Sequence, residues 1–291
     1  SFPIQSDGRV HGEYKIHGTA TGRLSSSNPN LQNIDKQTKE VFTCEKGDIL
    51  IQADYSNLEL RVLALDSQDP VMLDQFAQGL NIHTENCKVM YGIDESHPMW
   101  DAARHSCKTY IFGRNYGGSV RGIFEKVVIQ VPELNLTYDQ FRKIDETYRA
   151  AHPAYDLWRK RITMRVQALS SLTNSFGRTR HFIGTPYEIE RAGLNFPIQS
   201  NAADIMNLSL IGLHTELVEL RAKHPTWKKA KLIGTVHDSI LMECPKEMKG
   251  KVIELLKRHM ESKKKINGTA YTFPVDFESG ICWGKLKEEK V

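Results

Sequence analysis

The chain has 291 residues and is poor in several features that would assign it to a class at once. Its five cysteines, at 44, 87, 107, 244 and 282, form no CxxC pair. An odd, scattered set excludes a disulfide framework, argues against structural zinc and reads as free thiols in a reducing compartment. Apolar runs are short: Ile49–Ile51 and Ile240–Met242 are typical, against the roughly 20 residues that span a bilayer. The N-terminal SFPIQSDGRV has neither the basic nor the apolar region of a signal peptide. Neither GxxxxGK followed by Ser or Thr nor GxGxxG occurs, so a P-loop and a Rossmann dinucleotide site are unsupported. GxSxG and HExxH are missing too. Charge of one sign is barely in excess: 39 Lys and Arg against 35 Asp and Glu give +4. That balance permits a polyanionic partner without arguing for one. What remains is an ordinary globular composition, enough for roughly two structural units and a sizeable core. It reads as a soluble intracellular protein.

The chain has no internal repeat. Residues 1–40 are rich in Gly, Ser, Thr and Asn and read as loop with short strand. Ile49–Asp54 is an expected buried strand running into SNLELRVLALDS, where Leu58, Val62 and Leu65 share a helical face. Ser96 and Pro98 signal a helix through Phe112, which Gly117-Gly118 stops. Residues 138–170 read as helical, and 173–182 as a turn with a strand. After Ala202 comes a regular helix with a core stripe of Met206, Leu210, Leu213, Leu217 and Leu220. KLIGTV-HDS-ILMEC has the pattern of a hairpin. A last helix near 246–263 carries Val252, Leu255, Leu256 and Met260, with the lysines at 263–265 as its cationic C-terminus. Strands at both ends around a helical middle imply an α+β fold, a helical subdomain inserted into a sheet.

Two carboxylates stand where apolar strands end. Asp54 closes ILIQAD, and Asp238 sits at the hairpin tip. If the strands are sheet neighbours, both carboxylates converge on one point and would suit Mg²⁺, which takes hard oxygen ligands. The plainer alternative is a turn or helix-cap aspartate at each position. Arg104, Lys108 and Phe112 fall at steps of four on one helix face, with Tyr116 one step further. Two cations and an aromatic could hold a polyphosphate and stack a base, or be a solvated face with Phe112 in the core. HGTATGRLSSSNPNLQN could grip phosphates through backbone N–H groups and Arg23, or be a surface loop. Arg191, Asn195 and Gln199, also spaced by four, lie ahead of the apolar helix and could contact nucleic acid or cap it. Of the eleven histidines, His83 and His237 are the two not assigned to surface or core.

Five segments, TGRLSSSNPNLQNI, DYSNLELR, RHSCKTYIFGRNYG, RAGLNFPIQSNAADI and VHDS, occur in the order found in family A DNA polymerases, the DNA polymerase I type. The resemblance runs from about Arg9 to near Trp283. It implies the palm sheet of a right-hand polymerase, in 1–66 and 196–291, with an inserted helical fingers subdomain, 67–195. It implies template-directed DNA synthesis, a DNA-directed DNA polymerase adding deoxynucleotides to a primer 3′-OH with pyrophosphate release. Asp54, the Tyr55 carbonyl and Asp238 resemble the ligands of two Mg²⁺ ions, for which Mn²⁺ is a substitute. Glu59 resembles the steric gate against a ribose 2′-OH. Arg104, Lys108, Phe112, Tyr116 and His83 resemble the dNTP-binding set, Lys108 also as proton donor to the leaving group. Phe112 in place of Tyr implies poor dideoxynucleotide incorporation. Arg23, Asn33, Arg191, Asn195, Gln199 and His237 resemble contacts to primer–template DNA.

The sequence departs from that pattern at Ser239, where the family motif VHDE has glutamate. Tuned activity, not inactivity, is expected. The chain also opens just before TGRLSS, so the family's thumb helices and exonuclease domain are expected to be absent from it. Weak duplex grip follows, with an upstream segment or separate polypeptide as a partner. The expected setting is cytoplasmic, in a bacterial or phage-infected cell, or else an organelle, with no membrane partner. Three other readings compete: a non-catalytic primer–template binding module, a single-subunit RNA polymerase, which Glu59 opposes, and a metal-dependent nuclease, which has no need of the triphosphate-binding helix.

Overall fold

The computed structural model describes residues 2–290. The chain forms two compact units, one from the chain up to Leu58 together with the chain from Gln199 onward, the other Glu59–Ile198. In chain order, β1 (Glu13–Lys15) and β2 (Ser25–Ser27) make a small antiparallel ladder. β3 (Asp48–Tyr55) follows, with Leu50, Ile51, Ala53 and Tyr55 all buried. Such a strand, covered on both sides, belongs at the centre of a sheet.

The helical unit opens with α1 (Leu58–Ser67). It is buried nearly all round, wider than the single face expected, because Leu60, Leu63 and Ala64 also join the unit's apolar core. Asp69 caps α2 (Pro70–Ala77) and Asn81 caps α3 (Ile82–Tyr91) through side-chain acceptors. α4 (Trp100–Asn115) begins two residues after Pro98, with Met99 at its cap and no side-chain capping bond. α5 (Val120–Gln130) is capped by Ser119. The single helix expected over 138–170 is two: α6 (Tyr138–Ala151), opened by a Thr137/Gln140 capping box, and α7 (Pro153–Leu169). Pro153 has no N–H to continue the ladder and suits the first turn of a new helix. β4 (Ser171–Thr173) and β5 (Thr179–His181) pair as a hairpin.

α8 (Pro186–Lys223) is much longer than the helix expected after Ala202. It runs through Pro197, so Arg191, Asn195 and Gln199 lie within it and not ahead of it. β6 (Lys231–Val236) and β7 (Ser239–Pro245) are the expected hairpin. α9 (Lys249–Met260) ends earlier than expected, with Lys257, Arg258 and His259 as its cationic last turn. The lysines 264 and 265 instead lie on β8 (Lys264–Ile266), which pairs with β9 (Thr269–Tyr271). β10 (Val275–Gly280) and β11 (Lys287–Glu289) complete the central sheet. Its order is β11-β10-β3-β7-β6, antiparallel throughout, and α9 packs on β3, β7 and β10. Among the described residues no helix is long and apolar enough to cross a membrane.

Candidate active site

The register of β3 against β7 decides where the two aspartates sit. Asp54 pairs with Ser239, and the Tyr55 N–H donates to the Asp238 carbonyl at 3.1 Å. The ends of two adjacent strands therefore carry Asp54 and Asp238 side by side, as expected for sheet neighbours. The two-residue turn His237–Asp238 needs His237 at φ +53, the left-handed region. Ser239 is buried, and its Oγ donates to the Val236 carbonyl at 2.8 Å, closing the turn from within. The Tyr55 ring is buried, with its hydroxyl donating to the Met260 carbonyl at 2.7 Å and 2.8 Å from Ser209 Oγ. Those contacts fix the strand end on α8 and α9.

The sheet adds carboxylates that the sequence reading missed. Asp276 on β10 lies directly opposite Asp54, and Glu278 follows two residues on. The alternation in Val275-Asp-Phe-Glu-Ser was the available signal, but a polar row on a strand ordinarily marks a solvent face. Asp54 is exposed at its tip, yet the protein mass around the strand end raises its carboxyl to about 7, helped by Asp238, Asp276 and Glu278. Asp238 is also raised by burial, partly offset by Arg23, whose Nη2 stands 3.5 Å from Asp238 Oδ1. The Arg23 loop is held by Thr19 Oγ1, which donates to the Arg23 carbonyl at 2.8 Å, and by Asn207, which donates to the Gly22 carbonyl at 3.0 Å. Arg23, Gln32, Asn207, Thr235, His237 and Asp238 line a small recess. Asn33 is exposed on the turn Leu31–Asn33, beside Gln32, and Gln199 is half-buried on α8.

Several hard oxygen donors gathered at one strand end, with Asp54 and Asp238 both raised in pKa chiefly by burial, form a donor set that fits a divalent cation. The other acidic group, Glu45, Asp48 and Glu243, lies at the opposite end of β3 and differs in one respect. Arg9 donates to both oxygens of buried Glu243 at 3.1 and 2.8 Å, and Lys231 Nζ lies 2.7 Å from Glu45. Those two cations already offset most of its charge.

In the helical unit, α4 presents Arg104, Lys108 and Phe112 along one face, with Tyr116 at its C-cap. Lys108 is exposed, and Arg104 Nε donates to Thr84 Oγ1 at 3.4 Å. The His83 ring centroid is 5.7 Å from that of Phe112, and Phe112 is 6.2 Å from Tyr116. Glu59 is buried and accepts a hydrogen bond from the Tyr116 hydroxyl. His83 is buried, its Nδ1 has no hydrogen-bond partner, and its pKa falls to about 4, through burial first and then Lys108 and Arg104. A neutral imidazole beside two cations leaves their charge for an anion to neutralise. Gly117, at φ +74, ends the run. A Cβ there would stand 2.7 Å from Arg191 Cα, so only glycine lets α8 come this close to α4. Arg191 stacks over Tyr187 at 5.7 Å, and Asn195 keeps a buried Oδ1 without a hydrogen-bond partner.

A sheet ending in paired carboxylates, with a helical unit carrying a cationic and aromatic face, is the architecture of a polymerase domain. A solved structure described as the POL domain of Pol1 from M. smegmatis in complex with DNA primer-template and dNTP matches with a TM-score of 0.84 and 25% identity. That match covers 97% of this chain and 49% of that one. The family model for DNA polymerase family A matches residues 2–285, and the chain belongs to that family. DNA polymerase I of Caldicellulosiruptor bescii is 33% identical over 97% of this chain and 33% of its own length. The thermostable DNA polymerase I of Thermus aquaticus is 32% identical over the same shares, 97% and 33%. For DNA polymerase I of Aquifex aeolicus the identity is 30%, over 94% of this chain and 46% of the relative. The chain thus spans about a third of the first two relatives' length.

Proposed function

We propose that the chain carries out template-directed DNA synthesis, with the sheet unit as palm and the helical unit as fingers. One observation carries this reading: the Tyr55 N–H to Asp238 carbonyl bond, which sets Asp54 and Asp238 at neighbouring strand ends. Asp54, the Tyr55 carbonyl and Asp238 would hold two Mg²⁺ ions, which supply Lewis-acid activation of the primer 3′-OH and charge stabilisation on the leaving pyrophosphate.

The chain's own residues do the rest. Arg104 and Lys108 neutralise charge on the triphosphate, and Lys108 hands a proton to the departing pyrophosphate. Phe112 and Tyr116 stack against the incoming base and sugar. Glu59, tied to Tyr116, fills the room a ribose 2′-OH would need. His83, kept neutral by its surroundings, can donate one N–H to a phosphate oxygen without adding charge. Arg23, Asn33, His237, Arg191, Asn195 and Gln199 contact primer and template. Minor-groove acceptors are nearly alike for every base pair, so such contacts hold DNA of any sequence.

The test is primer extension on a primed template with dNTPs and Mg²⁺ at low salt, wild type beside Asp238→Ala. Template-directed extension by the wild type, lost in the variant, is expected. DNA binding without extension by the wild type would favour a non-catalytic primer–template module, and extension surviving in Asp238→Ala would refute the metal site.

A further inference from the structure

The face of α4 opposite its nucleotide side is gripped by polar groups, where apolar packing would have served to hold the helix. Tyr110 follows Lys108 by two residues, and Arg114 follows Phe112 by two, so each lies about 200° round the helix from its neighbour on the front. Both reach one buried carboxylate on α6. The Tyr110 hydroxyl donates to Asp145 Oδ1 at 2.6 Å, and Arg114 Nε stands 3.3 Å from the same oxygen. Arg114 Nη1 also donates to the Gly118 carbonyl at 3.3 Å, joining the end of α4 to the turn after it. The next residue, Asn115, accepts at Oδ1 from the Tyr155 hydroxyl of α7 at 3.0 Å. Arg159 of α7 donates to the Arg114 carbonyl, setting a cation at the helix C-terminus. The N-terminal half carries such a contact too, the Tyr91 hydroxyl donating to buried Ser106 Oγ at 2.6 Å, beside buried Ala103 and Cys107.

Apolar packing tolerates a small rotation of a helix about its axis, whereas the directional Tyr110 hydrogen bond to a fixed carboxylate, with the Arg114 charge held beside it, does not. A buried ion pair is weak evidence for stability, because its desolvation offsets most of the attraction. Its better-attested use is to select one arrangement among several that pack equally well. We propose that Asp145 is a positioning residue for nucleotide binding: through Tyr110 and Arg114 it sets the rotation of α4 that aims Lys108 and Phe112 at the triphosphate and base. The inference rests on the polymerase reading of the front face of α4.

The test pairs two readouts on the full chain, thermal midpoint and the Kd of a fluorescent deoxyadenosine triphosphate with Mg²⁺. Tyr110→Phe removes one hydroxyl, Asp145→Asn removes the charge, and the double variant Arg114→Met/Asp145→Leu replaces the pair by apolar groups. The expected result is Kd raised about tenfold or more in each, the scale of a small misalignment of binding groups. The double variant should recover the thermal midpoint that Asp145→Asn loses without recovering Kd. Wild-type Kd in Tyr110→Phe and Asp145→Asn, or recovery of Kd together with stability in the double variant, would overturn the inference and leave a purely structural contact. If Asp145→Asn does not fold, Tyr110→Phe and the double variant decide alone. Failure of the wild type to bind the triphosphate, or binding undiminished in Arg104→Ala/Lys108→Ala, would overturn the polymerase reading and this inference with it.

Discussion

His83 shows how one side chain's surroundings set its chemistry. Burial and the nearby Lys108 and Arg104 hold its pKa at about 4, well below the usual 6.5. Between those two values the unfolded chain binds a proton at this residue and the folded protein does not. The contribution is therefore whole above pH 6.5 and is lost as the pH falls toward 4. His83→Gln should flatten that part of the stability profile. Urea unfolding at pH 7 and pH 5 checks it: the wild type should lose more stability between the two than the variant does. Equal losses would mean that the imidazole is readily protonated in place. Asp54 is shifted the opposite way for the same physical reason, burial opposing the charged form. Two groups of opposite charge type, one in each unit, are thus both kept toward neutrality.

At the scale of elements, the junction of α4 with the start of α8 is the tightest constraint described. Gly117→Ala would put a Cβ at positive φ and against the Arg191 backbone, not a side chain that could swing away. A left-handed conformation costs a non-glycine residue roughly 1–2 kcal/mol before any clash. For a domain of 150–250 residues each kcal/mol lowers Tm by about 2–4 °C, so a loss of several degrees in a thermal melt is expected. An unchanged midpoint would mean that α8 can move away freely.

The elements that alternate or carry clear stops were legible in the sequence: β3, the β6–β7 hairpin and α4 with its cationic face all match their patterns. Pro153 and Pro197 were not separable by inspection. Each lies in an apolar, helical stretch, yet one opens a new helix and the other is carried inside α8. Tertiary packing decides which, as it decides that residues 264 and 265 extend a hairpin and do not finish α9. Asp276 and Asp145 were invisible for a related reason. A lone carboxylate on a strand or amphipathic helix looks like solvated surface until the register, or the partner helix, is known.

For the molecule as a whole, a net charge of only +4 gives little overall attraction to a polyanion. On the proposed reading, affinity for DNA comes from placed cations, Arg23 and Arg191 among them. Each phosphate neutralised adds about −0.9 to the slope of log K against log salt on duplex DNA. A titration of primer–template binding from 50 to 200 mM NaCl should give a straight line of small negative slope, shallower by about 0.9 in Arg23→Ala where that guanidinium meets a phosphate. A salt-independent Kd would contradict phosphate-driven binding altogether.

The order of strands in the central sheet has a consequence for synthesis of the protein itself. Asp54 leaves the ribosome 184 residues before Asp238, and the strands flanking β3 on both sides come from the chain's last quarter. At about 5–20 residues per second the first aspartate waits roughly 10–40 s for the second. The inserted helices, rich in local contacts, have time to fold in that interval, while β3 remains an unpaired apolar strand. A nascent or prematurely terminated chain therefore holds no assembled aspartate pair, and β3 is the segment a chaperone would need to shield.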